Sequence, residues 1–98
     1  MKVIKQGVWI LDDGSRAPVR VIGLDYDFWY QERSTRNAVS DDETPLPLGE
    51  GGFLYYVCFP EVGDSLANQR VDTEAFPTPG EAITEAVALV GGDVEWFR

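Results

Sequence analysis

The sequence contains no histidine and only one cysteine, Cys58. Without an imidazole, the chain lacks the usual general base near neutral pH, the Ser/His/Asp and Cys/His nucleophile systems and most zinc sites. A single cysteine cannot form an intrachain disulfide, and because Cys58 lies in the most apolar stretch we assign it to the core. We therefore expect a protein that is not an enzyme and that carries no cofactor or metal.

Long hydrophobic runs are also missing. No segment approaches the roughly 18 uninterrupted apolar residues of a membrane-spanning helix. The first residues, MKVIKQGVWIL, are interrupted by charged and polar side chains where a signal peptide would have an apolar run. These absences predict a cytoplasmic protein without a membrane partner. A length of 98 residues with 44% hydrophobic content predicts a single domain over residues 1–98.

Positive charge is scarce in the second half of the chain. Residues 1–40 carry six Lys/Arg and five Asp/Glu, whereas residues 41–98 carry two Lys/Arg and twelve Asp/Glu. Such an acidic field repels phosphates, so direct nucleic acid binding is not expected. Two interpretations stay open: the acidic surface keeps a small protein soluble, or it attracts a partner protein with a basic face.

Alternating residues are the strongest pattern that is present. Residues 16–30 predict a long central strand, because one face is apolar throughout while the other turns polar halfway along. The apolar positions from residue 22 onward are Ile22, Leu24, Tyr26, Phe28 and Tyr30. On the other face, Asp25 and Asp27 could share a divalent cation or a proton. Two carboxylates supply fewer ligands than a hard cation usually needs, so we favour an ordinary solvent-facing role.

Further strands are predicted on both sides of this stretch. Residues 3–11 and the turn Asp12-Asp13-Gly14-Ser15 predict a first strand that pairs antiparallel with the central one. Residues 53–59 predict an interior strand and residues 69–76 a charged edge strand. Residues 93–98 predict either a short last strand or aromatic side chains packed against the sheet.

One helix has clear start and stop signals. Thr78-Pro79-Gly80-Glu81 forms a capping box with proline at the first helical position, and Gly91-Gly92 ends the helix. The apolar residues at helical spacing are Ile83, Ala86, Val87 and Val90. The predicted fold class is α+β, an antiparallel sheet of four to five strands in the order β-β-long loop-β-β-α-β with one C-terminal helix packed on one face.

Residues 31–52 have no hydrophobic periodicity and are interrupted by proline and glycine. They predict a long loop, and loops of this length tend to be mobile or functional. Three interpretations stay open: a mobile linker, a loop that contacts a partner, and a short helix over residues 34–40.

Aromatic residues are more numerous on the predicted strands than one helix stripe of small residues can cover. They are Trp9, Trp29, Tyr26, Tyr30, Tyr55 and Tyr56. Either they all lie in the core, or some reach the surface and anchor an interface with a partner protein or a second copy of the chain.

The strand Gly52-Phe53-Leu54-Tyr55-Tyr56-Val57-Cys58-Phe59-Pro60-Glu61, followed by Glu81-Ala82-Ile83 and Glu85-Ala86, resembles the strand-then-helix pattern of HicB-type antitoxins. The resemblance covers under half of the chain. It departs from the family at Glu61, where members usually have Asp, in the longer step to the helix and in the preceding hairpin. It implies neutralisation of a small basic toxin, a role that the charge asymmetry independently allows.

Together these features predict a small acidic non-enzymatic module that covers a basic surface of a partner protein, including a nucleic-acid-binding one. Inhibitors, immunity proteins, antitoxins and phage-encoded antagonists act in this way. The expected anchors and steering charges are Trp29, Tyr30, Asp41, Asp42, Glu43 and Glu50. One alternative is a self-associating structural or accessory subunit, for example a homodimer. Another is a small metal-dependent enzyme or ligand-binding domain that uses Asp25, Asp27 and Glu61.

Overall fold

A computed structural model describes residues 1–60 and 71–97 of the chain. Its elements in chain order are β1 (Lys2–Ile10), β2 (Arg16–Leu24), α1 (Phe28–Thr35), a 3-10 turn (Glu50–Gly52), β3 (Leu54–Cys58), α2 (Pro79–Val90) and β4 (Val94–Trp96). Within the described residues, the strands form one antiparallel sheet in the order β3-β2-β1-β4. With α2 packed against the sheet, this architecture confirms the predicted α+β class.

The hairpin between β1 and β2 forms as predicted. The strands pair from Lys2 opposite Gly23 to Ile10 opposite Arg16. In the turn, the Leu11 amide donates to the Ser15 carbonyl at 2.8 Å. The short strand predicted near the C-terminus is also present, because β4 pairs antiparallel with β1.

The central strand is shorter than its alternation predicts. β2 ends at Leu24, and Asp27 is the N-cap of α1, where its carboxylate accepts a hydrogen bond from the Tyr30 amide at 3.1 Å. A carboxylate in this position satisfies a first-turn amide that has no partner within the helix. Residues 28–30 are therefore helical, and the prediction of a strand extending to Tyr30 is wrong.

Each face of the sheet carries its own group of buried side chains. The face under α2 contains Val19, Val21, Tyr55 and Val57, which pack with Ala82 and Ala86 of the helix. The opposite face buries Ile22, Leu24, Leu54, Tyr56, Cys58 and Val71, with Phe28 of α1 packed against them. The assignment of Cys58 to the core is confirmed, since it is fully buried.

The helix α2 follows its predicted boundaries. The Thr78 hydroxyl accepts from the Glu81 amide at 3.2 Å, and Gly91 ends the helix in a left-handed conformation with φ of 68°. Its fully buried residues are Ala82 and Ala86, whereas Val87 is 38% exposed. The contact stripe thus centres on the two alanines, whose small side chains let the helix lie close to the sheet.

Residues 71–76 run beside β3 without forming the predicted edge strand. The segment makes one bridge, between Tyr55 and Phe76. Further along, the Asp72 amide still donates to the Val57 carbonyl at 3.0 Å, but side chains accept from the amides on the other side: the Val57 amide donates to the Thr73 hydroxyl at 3.0 Å and the Phe59 amide to the Asp72 carboxylate at 2.7 Å. The prediction of a regular strand over residues 69–76 is wrong for this part, and residues 69–70 lie outside the described residues.

Neither of the helices in the described parts of the chain combines the length and the apolar character needed to cross a membrane.

Candidate functional site

The two aromatic residues predicted as anchors lie on α1 and are tied to the chain's own backbone. Trp29 is 38% exposed, and its indole nitrogen donates to the Thr73 carbonyl at 2.8 Å. The Tyr30 hydroxyl donates to the Glu43 carbonyl at 3.4 Å. Both side chains therefore hold neighbouring segments in place, and Trp29 keeps part of its ring accessible.

The acidic residues predicted for steering differ in their surroundings. The Glu43 carboxylate pairs with the Arg33 guanidinium at 2.6 Å, so its charge is largely neutralised within the chain. Asp41 and Asp42 are exposed. Glu50 is exposed at the start of the 3-10 turn, where its amide donates to the Pro77 carbonyl next to α2. The structure thus joins Glu43 to Tyr30 and places Glu50 beside the start of α2.

Asp25 and Asp27 do not share a strand face, because β2 ends at Leu24, but both line one cavity, and a shared cation or proton stays a prediction. Asp25 is exposed, whereas Asp27 is only 8% exposed. The two Asp27 oxygens accept hydrogen bonds from the amides of Tyr30 at 3.1 Å and Leu46 at 2.9 Å. Asp27 therefore fastens the loop to α1. Glu61, the third member of that hypothesis, lies outside the described residues.

The predicted loop over residues 31–52 is partly structured. Its first residues complete α1, so the helix covers residues 28–35 and not residues 34–40 as the helical alternative proposed. The stretch that follows is attached to α1 through the Asp27 contact with Leu46 and the ion pair between Arg33 and Glu43. Within residues 1–60 and 71–97, no group of three or more His, Cys, Asp or Glu side chains is placed to hold a metal ion.

A groove that the sequence did not predict runs between α2 and residues 72–78. It consists of two adjoining cavities of about 610 and 250 Å³, both of which are lined by Phe76 and Glu85. We call it the acidic groove. Its carboxylates are Asp72, Glu74, Glu81 and Glu85, and its apolar side chains are Phe76, Ala88 and Leu89.

No lysine or arginine lies among the described residues that line the acidic groove. Glu81 and Glu85 are four residues apart on α2, a spacing at which like charges destabilise a helix. Glu81 accepts a hydrogen bond from the Thr78 hydroxyl at 3.0 Å. Glu74 and Glu85 form no ion pair with any described residue, so their charges are available at the surface.

Three ion pairs of the described residues lie away from the acidic groove. They join Arg16 to Glu95, Arg33 to Glu43 and Arg36 to Glu32. Glu74 and Glu85 of the acidic groove thus keep their charges, whereas Glu95, Glu43 and Glu32 each pair with an arginine. In the sequence, Asp72 and Glu74 precede the capping box, whose last residue is Glu81, and Glu85 follows it; this is the only signal that could have indicated their convergence.

Comparison with protein-family models, with curated proteins and with solved structures finds no match for this chain. The resemblance to HicB-type antitoxins therefore rests on the short strand and helix pattern alone. A functional conclusion has to come from the geometry and charge of the acidic groove.

Proposed function

We propose that the protein is a non-enzymatic protein-binding module whose acidic groove receives a basic segment of a partner protein. The observation that carries this proposal is a set of four carboxylates, with no lysine or arginine among the described lining residues, next to the apolar side chains of Phe76, Ala88 and Leu89. An inhibitor, immunity protein, antitoxin or phage-encoded antagonist that covers a basic surface would use such a groove. The self-associating alternative stays a prediction.

The two components of the acidic groove would have different roles in binding. The carboxylates attract a basic segment over a distance, which raises the association rate and disfavours acidic competitors. Phe76 and Leu89 offer apolar surface, and Leu89 is 53% exposed. Burial of such surface supplies affinity that exposed ion pairs alone do not. A partner segment with alternating basic and apolar side chains fits both components.

The absence of an enzymatic role is part of the same proposal. It is supported by the lack of histidine in the sequence. The described lining residues of the acidic groove offer carboxylate and hydroxyl groups but no basic group that could polarise a substrate or stabilise an anionic transition state.

The proposal is tested by fluorescence anisotropy with a labelled synthetic peptide of alternating lysine and leucine. In the double variant Glu74→Gln/Glu85→Gln, we expect the Kd to rise about three- to tenfold, because each exposed ion pair contributes up to about 1 kcal/mol. The matched control Asp41→Asn/Asp42→Asn changes the net charge equally but leaves the acidic groove intact, so its Kd should stay close to that of the wild type.

A second pair of variants tests the apolar side chains of the acidic groove. Leu89→Ala should raise the Kd of the same peptide severalfold. Val87→Ala, on the same helix but outside the acidic groove, should leave the Kd unchanged. If the Asp41/Asp42 control weakens binding as much as the Glu74/Glu85 variant, the loop is the binding surface and the proposal is wrong. Equal affinities for all four variants and the wild type would contradict binding at the acidic groove and binding at the loop.

A further inference from the structure

A separate cavity of about 300 Å³ lies at the end of β2, between the first turn of α1 and the loop. Tyr26, Tyr30 and Leu46 line it together with the carboxylates of Asp25 and Asp27. We call it the tyrosine–aspartate pocket. Its volume is at the lower end of the range for small-molecule sites, about 300 to 1,000 Å³, and suits a ligand the size of one side chain.

The buried Asp27 has acceptor capacity that the chain does not use. It is 8% exposed and accepts hydrogen bonds only from the two backbone amides described above. An ionised carboxylate offers about four acceptor positions. No lysine or arginine lines the pocket among the described residues. The two amide donors and the N-terminus of α1 offset part of the cost of burying this carboxylate, and a cationic ligand would offset more of it.

The groups that line the pocket favour a cation over an anion. The amides of Phe28 and Tyr30 in the first turn of α1 are already used, since Phe28 donates to the Tyr56 hydroxyl at 2.9 Å and Tyr30 donates to Asp27. An anion would find no free donor at these amides and would be repelled by Asp25 and Asp27. A cation would be attracted by both carboxylates and by the faces of tyrosine rings within about 6 Å.

We infer that the tyrosine–aspartate pocket binds an organic cation, namely an ammonium or guanidinium group on a short aliphatic chain. The cationic group donates to Asp27 and is attracted by Asp25, while the aliphatic part contacts Tyr26 and Leu46. This chemistry belongs both to free alkylamines or alkylguanidines and to the side chains of lysine or arginine. The inference does not depend on the acidic groove.

The test is a ¹H–¹⁵N NMR titration of the full chain with n-butylguanidinium, n-butylammonium and, as a neutral analogue, n-butanol. We expect the cations to shift the amide resonances of Tyr30 and Leu46, which report on Asp27, and n-butanol to leave them in place. An acetylated arginine tripeptide forms a further arm. If the tripeptide binds more tightly than the free cations, a protein side chain is the natural source, and the reverse order favours a free ligand.

Asp25 and Tyr26 provide variants that leave the N-cap intact. Asp25→Asn should raise the Kd of the cations about three- to tenfold. Tyr26→Leu, which keeps the apolar bulk, should raise it about two- to fivefold. Glu74→Gln/Glu85→Gln should bind the cations like the wild type, which separates this site from the acidic groove. The inference is overturned if n-butanol produces the same shifts, or if both pocket variants bind as tightly as the wild type.

Discussion

The two faces of the sheet are covered by different means. On one face, α2 packs Ala82 and Ala86 against fully buried valines, so the contact is apolar throughout. On the other face, α1 contributes no fully buried residue and contacts the sheet through Phe28, whose ring lies 6.2 Å from that of Tyr56. The position of α1 depends on hydrogen bonds, chiefly those of Asp27 and of the Tyr56 hydroxyl.

This difference indicates where the molecule opens first. A helix with broad apolar contacts separates from the sheet only when much buried surface is exposed. A helix held by a few polar contacts can detach when one of them is lost, because each unsatisfied buried group costs about 1–3 kcal/mol. We therefore expect α1 and its loop to open at a lower free energy than α2, and to respond to single polar substitutions.

The largest effect is expected for Asp27→Ala. This substitution removes the N-cap of α1 and the acceptor of the Leu46 amide together, so the free energy of unfolding should fall by about 3 kcal/mol. Thr78→Ala is the matched change on the other face, since it removes only the cap of α2 and should cost about 1 kcal/mol. Urea denaturation of both variants measures the difference.

Amide hydrogen exchange shows whether the loss in Asp27→Ala is local. Protection should fall in α1 while the amides of α2 and β2 keep theirs near the new global value. Equal losses of stability in the Asp27 and Thr78 variants would remove the distinction between a polar and an apolar covering of the sheet.

The same contrast explains which parts of the fold the sequence predicted. The hairpin and α2 have local signals that act alone, namely Asp-Gly in the turn, the capping box at Thr78 and glycine at the helix end. The sequence of α1 contains no local signal of comparable strength. Tyr26, Phe28 and Tyr30 alternate with aspartates at the period of a strand, and α1 buries no stripe that would show a helical period. Only Asp27 as an N-cap candidate could have indicated the helix.

The acidic groove and the tyrosine–aspartate pocket could not be predicted from local patterns, because each depends on how two segments pack: residues 72–78 with α2, and residues 25–31 with residues 45–48. Glu74 and Glu85 meet only because residues 72–76 lie along β3 and α2 crosses the adjacent face. The segment itself matched a strand by its alternation, but the side chains of Asp72 and Thr73 took the places of backbone partners. Hydrogen bonds of this kind, between side chains and a neighbouring strand, do not change the hydrophobic periodicity of the sequence.

An intermediate effect is expected on the apolar face. Ala86→Leu inserts a larger side chain between α2 and the sheet where Ala86 is fully buried, and overpacking of this kind should cost about 2 kcal/mol. Ala88→Leu makes the same change at an exposed position of the same helix and should alter stability by less than about 0.5 kcal/mol. Thermal or urea unfolding compares the two. If Ala86→Leu is as stable as Ala88→Leu, the packing of α2 against the sheet does not depend on a small side chain at residue 86.

The smallest effect is expected for Tyr56→Phe, compared with Tyr55→Phe on the opposite face. The Tyr56 hydroxyl accepts from the Phe28 amide, so its loss should cost about 1 kcal/mol at neutral pH. The Tyr55 hydroxyl donates at 2.7 Å to the Glu50 carbonyl next to exposed glycines, where water can replace it at a cost below about 1 kcal/mol.

The pH dependence of the Tyr56→Phe difference gives a second measurement. Burial raises the pKa of the Tyr56 hydroxyl, and the Asp27 carboxylate raises it further, while the bond from the Phe28 amide opposes the rise. The folded state therefore keeps this proton above about pH 10, where unfolded tyrosine loses it. The stabilisation by Tyr56 is complete below that pH and is lost as the pH rises through the raised pKa. Urea unfolding should show the advantage over Tyr56→Phe shrinking above pH 10, and a constant advantage up to pH 11 would place the hydroxyl in water.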